Sequence, residues 1–88
     1  MQTAAPILHL DDLGVGEPAR LGAMALSPPE QQRMAEMGLT AGTPVVVTKR
    51  SHWDGPLEIR VRGGKLCLRR NVARCLAVTR MPEGGGRG

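Results

Sequence analysis

The stretch from Arg33 to Arg70, RMAEMGLTAGTPVVVTKRSHWDGPLEIRVRGGKLCLRR, leaves the chain little conformational freedom. Gly38, Gly42, Pro44, the Asp54-Gly55-Pro56 run and Gly63-Gly64 punctuate it every few residues. Between them there is room only for a helix end, a tight turn and short strands. Leu57–Arg62 alternates strictly, with Leu57, Ile59 and Val61 on one face and Glu58, Arg60 and Arg62 on the other. Gly63-Gly64 fits a two-residue hairpin turn that needs positive φ, after which Lys65–Arg69 returns with Leu66 and Leu68 inside. That turn sets Arg62 opposite Lys65, Val61 opposite Leu66, Arg60 opposite Cys67 and Ile59 opposite Leu68. The apolar pairs then share one face, and a one-residue slip would break the match. The outer face carries Arg60, Arg62, Lys65 and Cys67. Arg62 against Lys65 is a like-charge pair, mildly unfavourable, which fits a face that expects an anionic neighbour.

Upstream, Asp12-Leu13-Gly14-Val15-Gly16 reads as an entry turn, and Ala19–Met24 as a strand with Ala19, Leu21 and Ala23 on one face. Ser27, Pro28-Pro29 and Glu30 form a capping-box helix start. The helix runs through Met37 with Met34 and Met37 inward. Gly38 is its left-handed terminator, and Leu39 folds back onto Met34. Pro44–Arg50 is a β-branched strand and Ser51–Pro56 a loop. Arg69-Arg70-Asn71 starts a single helical turn, and Cys75–Thr79 is a last strand. The pattern predicts a mainly β fold: a small, partly open barrel of about five strands, with one short α-helix between the first and second. The ordered domain is expected over residues 10–80, with a flexible N-terminus at 1–9 and a disordered Gly-rich tail at 81–88.

Eighty-eight residues make one domain. A chain of this size buries only about 60% of its unfolded surface. It has no Phe or Tyr, and Trp53 is its only aromatic, so the core must come from Leu, Val, Ile, Met and Ala. The net charge of +4 is unevenly placed: residues 1–48 carry −3, residues 49–80 carry +7, and residues 81–88 cancel. Such asymmetry favours an acidic partner surface, protein or nucleic acid. Cys67 and Cys75, eight residues apart, make no disulfide framework. Ala4–Leu10 is apolar but short and has no basic region before it, so it does not read as a signal peptide, and no run approaches membrane-spanning length. A reducing, cytoplasmic setting is expected.

Four segments give the chain a likeness. They are Asp12-Leu13 with Gly16; Met37-Gly38-Leu39-Thr40 with Gly42-Thr43; Val45-Val46-Val47; and Pro56–Gly63 followed by Leu66-Cys67-Leu68-Arg69-Arg70. Together they resemble the FeoA family, small cytoplasmic proteins of bacterial ferrous iron transport, over about Leu10–Arg80. The loop Ser51–Pro56 departs from the family's more usual apolar-Gly-Asp-Pro loop, and the helix is Met-rich where Leu and Arg are commoner. The resemblance implies an SH3-like barrel acting beside the FeoB-type membrane transporter, by contact with its cytoplasmic nucleotide-binding portion. It also implies a cytoplasmic location, with membrane association through that transporter. The same kind of domain occurs behind iron-dependent repressors, whose DNA-reading and metal-sensing parts this chain lacks.

Each candidate residue also has a plainer reading. The basic hairpin is either a solvated face, a dock for an acidic protein, or a nucleic-acid surface. The last usually adds stacking aromatics, and this hairpin has none. Met34, Met37 and Leu39 read first as core packing, and second as a Met-lined groove for a partner. Trp53 is expected to pack partly against the barrel edge, with partner contact as the alternative. The residues assigned to partner binding are Met34, Met37, Leu39, Trp53, Arg60, Arg62 and Lys65. His9, His52, Cys67 and Cys75 lack a paired metal-ligand motif, so no metal or cofactor site is assigned. Adventitious zinc would sit at His52 with Asp54, or bridge two copies in a weak homodimer. No nucleophile–base pair or phosphate-binding loop is present, so no catalytic residue is assigned and an enzyme is not expected. The alternative function is a nucleic-acid-binding or regulatory SH3-like module.

Overall fold

The computed structural model describes residues 7–81. Its elements are β1 (Leu8–His9), a 3-10 turn (Leu10–Asp12), β2 (Pro18–Met24), α1 (Pro28–Glu36), β3 (Pro44–Arg50), β4 (Leu57–Val61), β5 (Gly64–Leu68), α2 (Arg70–Ala73) and β6 (Leu76–Arg80). The strands form a six-stranded antiparallel sheet in the order β1-β6-β2-β3-β4-β5. β1 and β5 are left as the edges, so the barrel stays open.

The expected architecture holds, with one strand more. Leu8 and His9 pair with Val78 and Ala77, so these two residues belong to the sheet and not to a flexible N-terminus. Two residues give a weak periodicity signal, and only β6, far along the chain, makes a strand of them. The flexibility expected at residues 1–6, and the disorder expected at 82–88, fall outside the described residues.

Two bulges curl the sheet. In β2 the pairing with β6 steps from Leu21–Val78 to Met24–Leu76, which inserts one extra residue. Simple alternation therefore fails after Leu21: Ala23, expected inside, is exposed, and Met24 packs against the core instead. In β3 the extra residue is Thr48, between the Val47–Ile59 and Lys49–Glu58 pairs. Its hydroxyl meets the Glu58 carbonyl at 3.1 Å and the Glu58 carboxylate at 2.8 Å. The core inside the curl is aliphatic: Leu10, Leu13, Leu21, Leu39, Val45, Val47, Leu57, Ile59, Leu68 and Leu76, with Met34 from α1.

α1 begins as its sequence predicts. The Glu30 amide meets the Ser27 hydroxyl at 3.4 Å, and the Ser27 amide donates to the Glu30 carboxylate at 3.0 Å. The Ser27 amide first, and then the Ser27 hydroxyl at 2.9 Å, donate to the Glu30 carboxyl and hold it below the usual range. The helix ends on Gly38 at φ +93°, with the Leu39 amide bonded to the Met34 carbonyl and the Gly38 amide to that of Ala35. That is the Schellman closure.

The hairpin differs from expectation in its turn. Val61 pairs with Gly64, Arg60 with Lys65, Ile59 with Leu66, Glu58 with Cys67 and Leu57 with Leu68. The two turn residues are thus Arg62 and Gly63, and only Gly63 has positive φ, at +124°. Both registers put the same residues on the same faces, so alternation could not choose between them. The observed one sets buried Leu57 against buried Leu68, where the expected one would have set Leu57 against Arg70. A Cβ at Gly64 would meet nothing within 4 Å. Gly64→Thr should therefore leave stability unchanged or raise it by about 0.5 kcal/mol, while Gly63→Thr should cost more than about 1 kcal/mol. Urea unfolding of the two variants checks this, and equal losses at both positions would restore the Gly63-Gly64 turn.

Candidate partner-binding surface

The outward side of the sheet carries the residues that the alternation leaves over. Pro18, Val46, Arg60 and Lys65 stand directly opposite one another across β2, β3, β4 and β5. Arg60 and Lys65 are exposed, as is Arg62 in the turn. The expected Arg62–Lys65 pair does not form, and Arg60 is the cation opposite Lys65. Glu58 moderates the repulsion, with its carboxylate 3.8 Å from Lys65 Nζ. The Thr48 hydrogen bond is the main cause that holds the Glu58 carboxyl below the usual range. Desolvation works against it, and Lys65, Lys49 and Arg60 add to the lowering. Glu58 is therefore a fixed negative charge among cations.

The other assigned residues separate. Leu39 and Met34 are buried; Leu39 offers no surface to a partner, and Met34 contributes only to the lining of one trough beside Met37. The Schellman closure explains this: it folds Leu39 back over the last helical turn and into the core. Met37 caps the helix and keeps 38% of its surface exposed. It lies between two troughs, one shared with Arg33, Cys67, Arg69 and Val72, the other with Val61, Arg62, Lys65 and Leu66.

Trp53 does not pack against the barrel edge. It is 94% exposed and has φ +64°, the left-handed region, in a turn closed by the Gly55 amide on the His52 carbonyl. A bulky residue there is strained by roughly 1–3 kcal/mol. Asp54, expected as a zinc partner of His52, is instead held by Arg74 at 3.0 Å. Among the described residues no three of His, Cys, Asp and Glu gather in a metal-binding group, and Cys67 and Cys75 are both free.

The most organised charge cluster was not anticipated. Asp11, in the middle of the 3-10 turn, is met by three guanidinium groups: Arg70 at 3.2 Å, Arg74 at 3.4 Å and Arg50 at 3.8 Å. The Arg70 side chain is only 9% exposed. It also donates to the Gly55 carbonyl at 3.2 Å and the Ser51 carbonyl at 3.3 Å. Asp11 Oδ1 is buried without an aligned hydrogen bond, so its link to Arg70 is a charge contact. Arg50 reaches the carbonyls of Leu13 at 2.6 Å and Asp11 at 3.2 Å. The cluster ties the N-terminal turn, the Trp53 loop and α2 together. Its signal lay in the sequence: Arg70 continues the inward alternation of Leu66 and Leu68, and a charge carried inward needs a counter-charge.

Comparison with known proteins places this architecture. The FeoA domain family model matches residues 8–80. The chain is similar to the solution structure of a FeoA protein from Chlorobium tepidum, with 28% identity, a TM-score of 0.78, and coverage of 92% of this chain and 79% of that one. It is also similar to a crystal structure described as an iron uptake regulatory protein (FeoA), with 25% identity, a TM-score of 0.77, and coverage of 86% and 100%. A manganese-dependent transcriptional repressor shares the fold alone, at 16% identity, a TM-score of 0.76, and coverage of 90% of this chain and 44% of that one. No curated protein matches the chain. The match from β1 to the last residue of β6 makes the chain a member of the FeoA family, a family related to ferrous iron transport.

Proposed function

We propose that this chain is a cytoplasmic accessory of ferrous iron uptake, acting by binding and not by catalysis, and that it docks on the cytoplasmic part of a FeoB-type transporter. The observation that carries the reading is the family match across residues 8–80. The exposed cations Arg60, Arg62 and Lys65 support an acidic docking partner. No helix of the described residues is long and apolar enough to cross a membrane. The proposal places any membrane association in the contact with the transporter.

Deleting the gene while leaving the transporter intact should lower ferrous uptake, and unchanged uptake would sink the proposal. Arg60→Glu combined with Arg62→Glu should weaken capture of the transporter's cytoplasmic domain. Glu58→Gln, which removes the negative charge among those cations, should strengthen it. Capture indifferent to both changes would take the outward row out of the interface. The nucleic-acid alternative predicts binding that falls steeply with salt. The outward row gives it no stacking platform, because Trp53 lies at the opposite end of β4 from the hairpin turn.

A further inference from the structure

An SH3-like fold commonly serves to hold proline-rich helices in an aromatic-lined groove. This chain has one aromatic residue, and it stands alone on a loop, so that mode has no platform here. Another mode needs no aromatics. β5 is an edge of the sheet, five residues long, and its outer side borders the troughs on either side of Met37.

The register says which backbone groups face that side. In a hairpin closed by a two-residue turn, the closing pair exchanges hydrogen bonds and every second pair repeats the exchange. Val61–Gly64, Ile59–Leu66 and Leu57–Leu68 are therefore the bonded pairs. The N–H and C=O groups of Lys65 and Cys67 point away from β4, into the open edge. Lys is a common device for blunting such an edge. Here the Lys65 ammonium lies 3.8 Å from the Glu58 carboxylate, turned back over β4, so the edge stays clear.

We infer that β5 accepts an extended acidic segment of a partner protein as a seventh strand, bonded to the backbone of Lys65 and Cys67. Alternate apolar side chains of that segment enter the troughs beside Met37 and Leu66, and its carboxylates meet Arg33, Arg62 and Arg69. Charge selects the occupant. Those three cations outnumber the two acids, Glu30 and Glu36, that line the same troughs, and Glu30 is engaged in the helix cap. A second copy of this chain, paired edge to edge, would bring Arg62 and Arg69 of both copies together, which is repulsive. The inference rests on the reading of the chain as a docking module and specifies how it docks.

The test uses the full chain and a blocked peptide of about six residues, the usual strand length, alternating glutamate and valine. In the free protein the amides of Lys65 and Cys67 should exchange quickly with solvent, while Leu66 and Leu68 are protected. Millimolar peptide should slow exchange at 65 and 67 at least tenfold, and a lysine–valine peptide should not. Cys67→Pro removes an edge-facing N–H without touching the β4 ladder, and should weaken binding about tenfold, whereas Cys67→Thr should not. If the proline variant misfolds, the exchange measurement on the unaltered chain still decides. Unchanged exchange at 65 and 67, or protection confined to β1, overturns the inference. So does concentration-dependent protection without peptide, which would make the occupant a second copy. If Cys67→Pro still captures the transporter fully, the strand-addition mode fails and the docking reading survives. If the unaltered chain captures nothing, the docking reading itself fails.

Discussion

Asp11→Ala is expected to destabilise the domain by about 3 kcal/mol, a larger loss than a change at the exposed cations of the hairpin would cause. Arg74 and Arg50 are partly exposed and can turn their charge to water, but Arg70 cannot. Removing one partner of a buried ion pair costs about 3–5 kcal/mol, because the other charge stays buried and unpaired. The low end applies, since Asp11 keeps 20% of its side chain exposed and Arg70 retains the carbonyls of Ser51 and Gly55. A small domain has roughly 5–10 kcal/mol in all. The thermal midpoint should then fall by roughly 12–24 °C. Adding Arg70→Met to Asp11→Ala should recover part of the loss, because the stranded charge goes with it. A loss under about 1 kcal/mol for Asp11→Ala would show that the two carbonyls alone hold Arg70, and that the ion pair is not the lock.

The second large effect separates stability from binding. Trp53→Gly should stabilise the fold by about 1 kcal/mol, because glycine occupies positive φ without strain and Trp53 packs against nothing. The same change should weaken binding to the transporter's cytoplasmic domain by about 2 kcal/mol, roughly 30-fold, if Trp53 is an interface anchor. Calorimetry on the two purified proteins measures the second effect and urea unfolding the first. Trp53 is the only tryptophan, so its emission should sit near that of solvated indole and shift to shorter wavelength when the partner binds. Unchanged affinity with raised stability would remove Trp53 from the interface.

What the sequence made legible follows from where its signals are local. The Ser27–Glu30 cap, the Gly38 terminator and the alternation of β4 are written within a few residues, and each appears as expected. The hairpin turn was misplaced because shifting it by one position preserves both faces. The choice depends on Leu57 meeting Leu68, a pair at the far end of the hairpin. β1 and the bulge at Leu21–Met24 escaped notice because both depend on β6. Of the residues assigned to a partner, the periodicity correctly marked Arg60, Arg62 and Lys65 as outward. It did not separate Met37 from Met34 and Leu39, because helix spacing places all three on one side and only the Schellman closure divides them. The Asp11–Arg70 pair joins residues 59 positions apart, beyond the reach of local pattern.

The place of β6 between β1 and β2 has a consequence for how the molecule comes into being. β1 and β2 cannot pair with each other, because β6, the strand that joins them, is made after both. Asp11 likewise waits for Arg70 and Arg74. Only α1 and the β3–β4–β5 meander can form from neighbouring residues. A nascent chain stopped before Leu76 would hold those two pieces and no closed core, with β2 bare along one side. Ordering by such distant contacts is slow, and it exposes unpaired strands while it lasts. Completion of the fold should therefore come as one late step, when the segment up to Arg80 has cleared the ribosome.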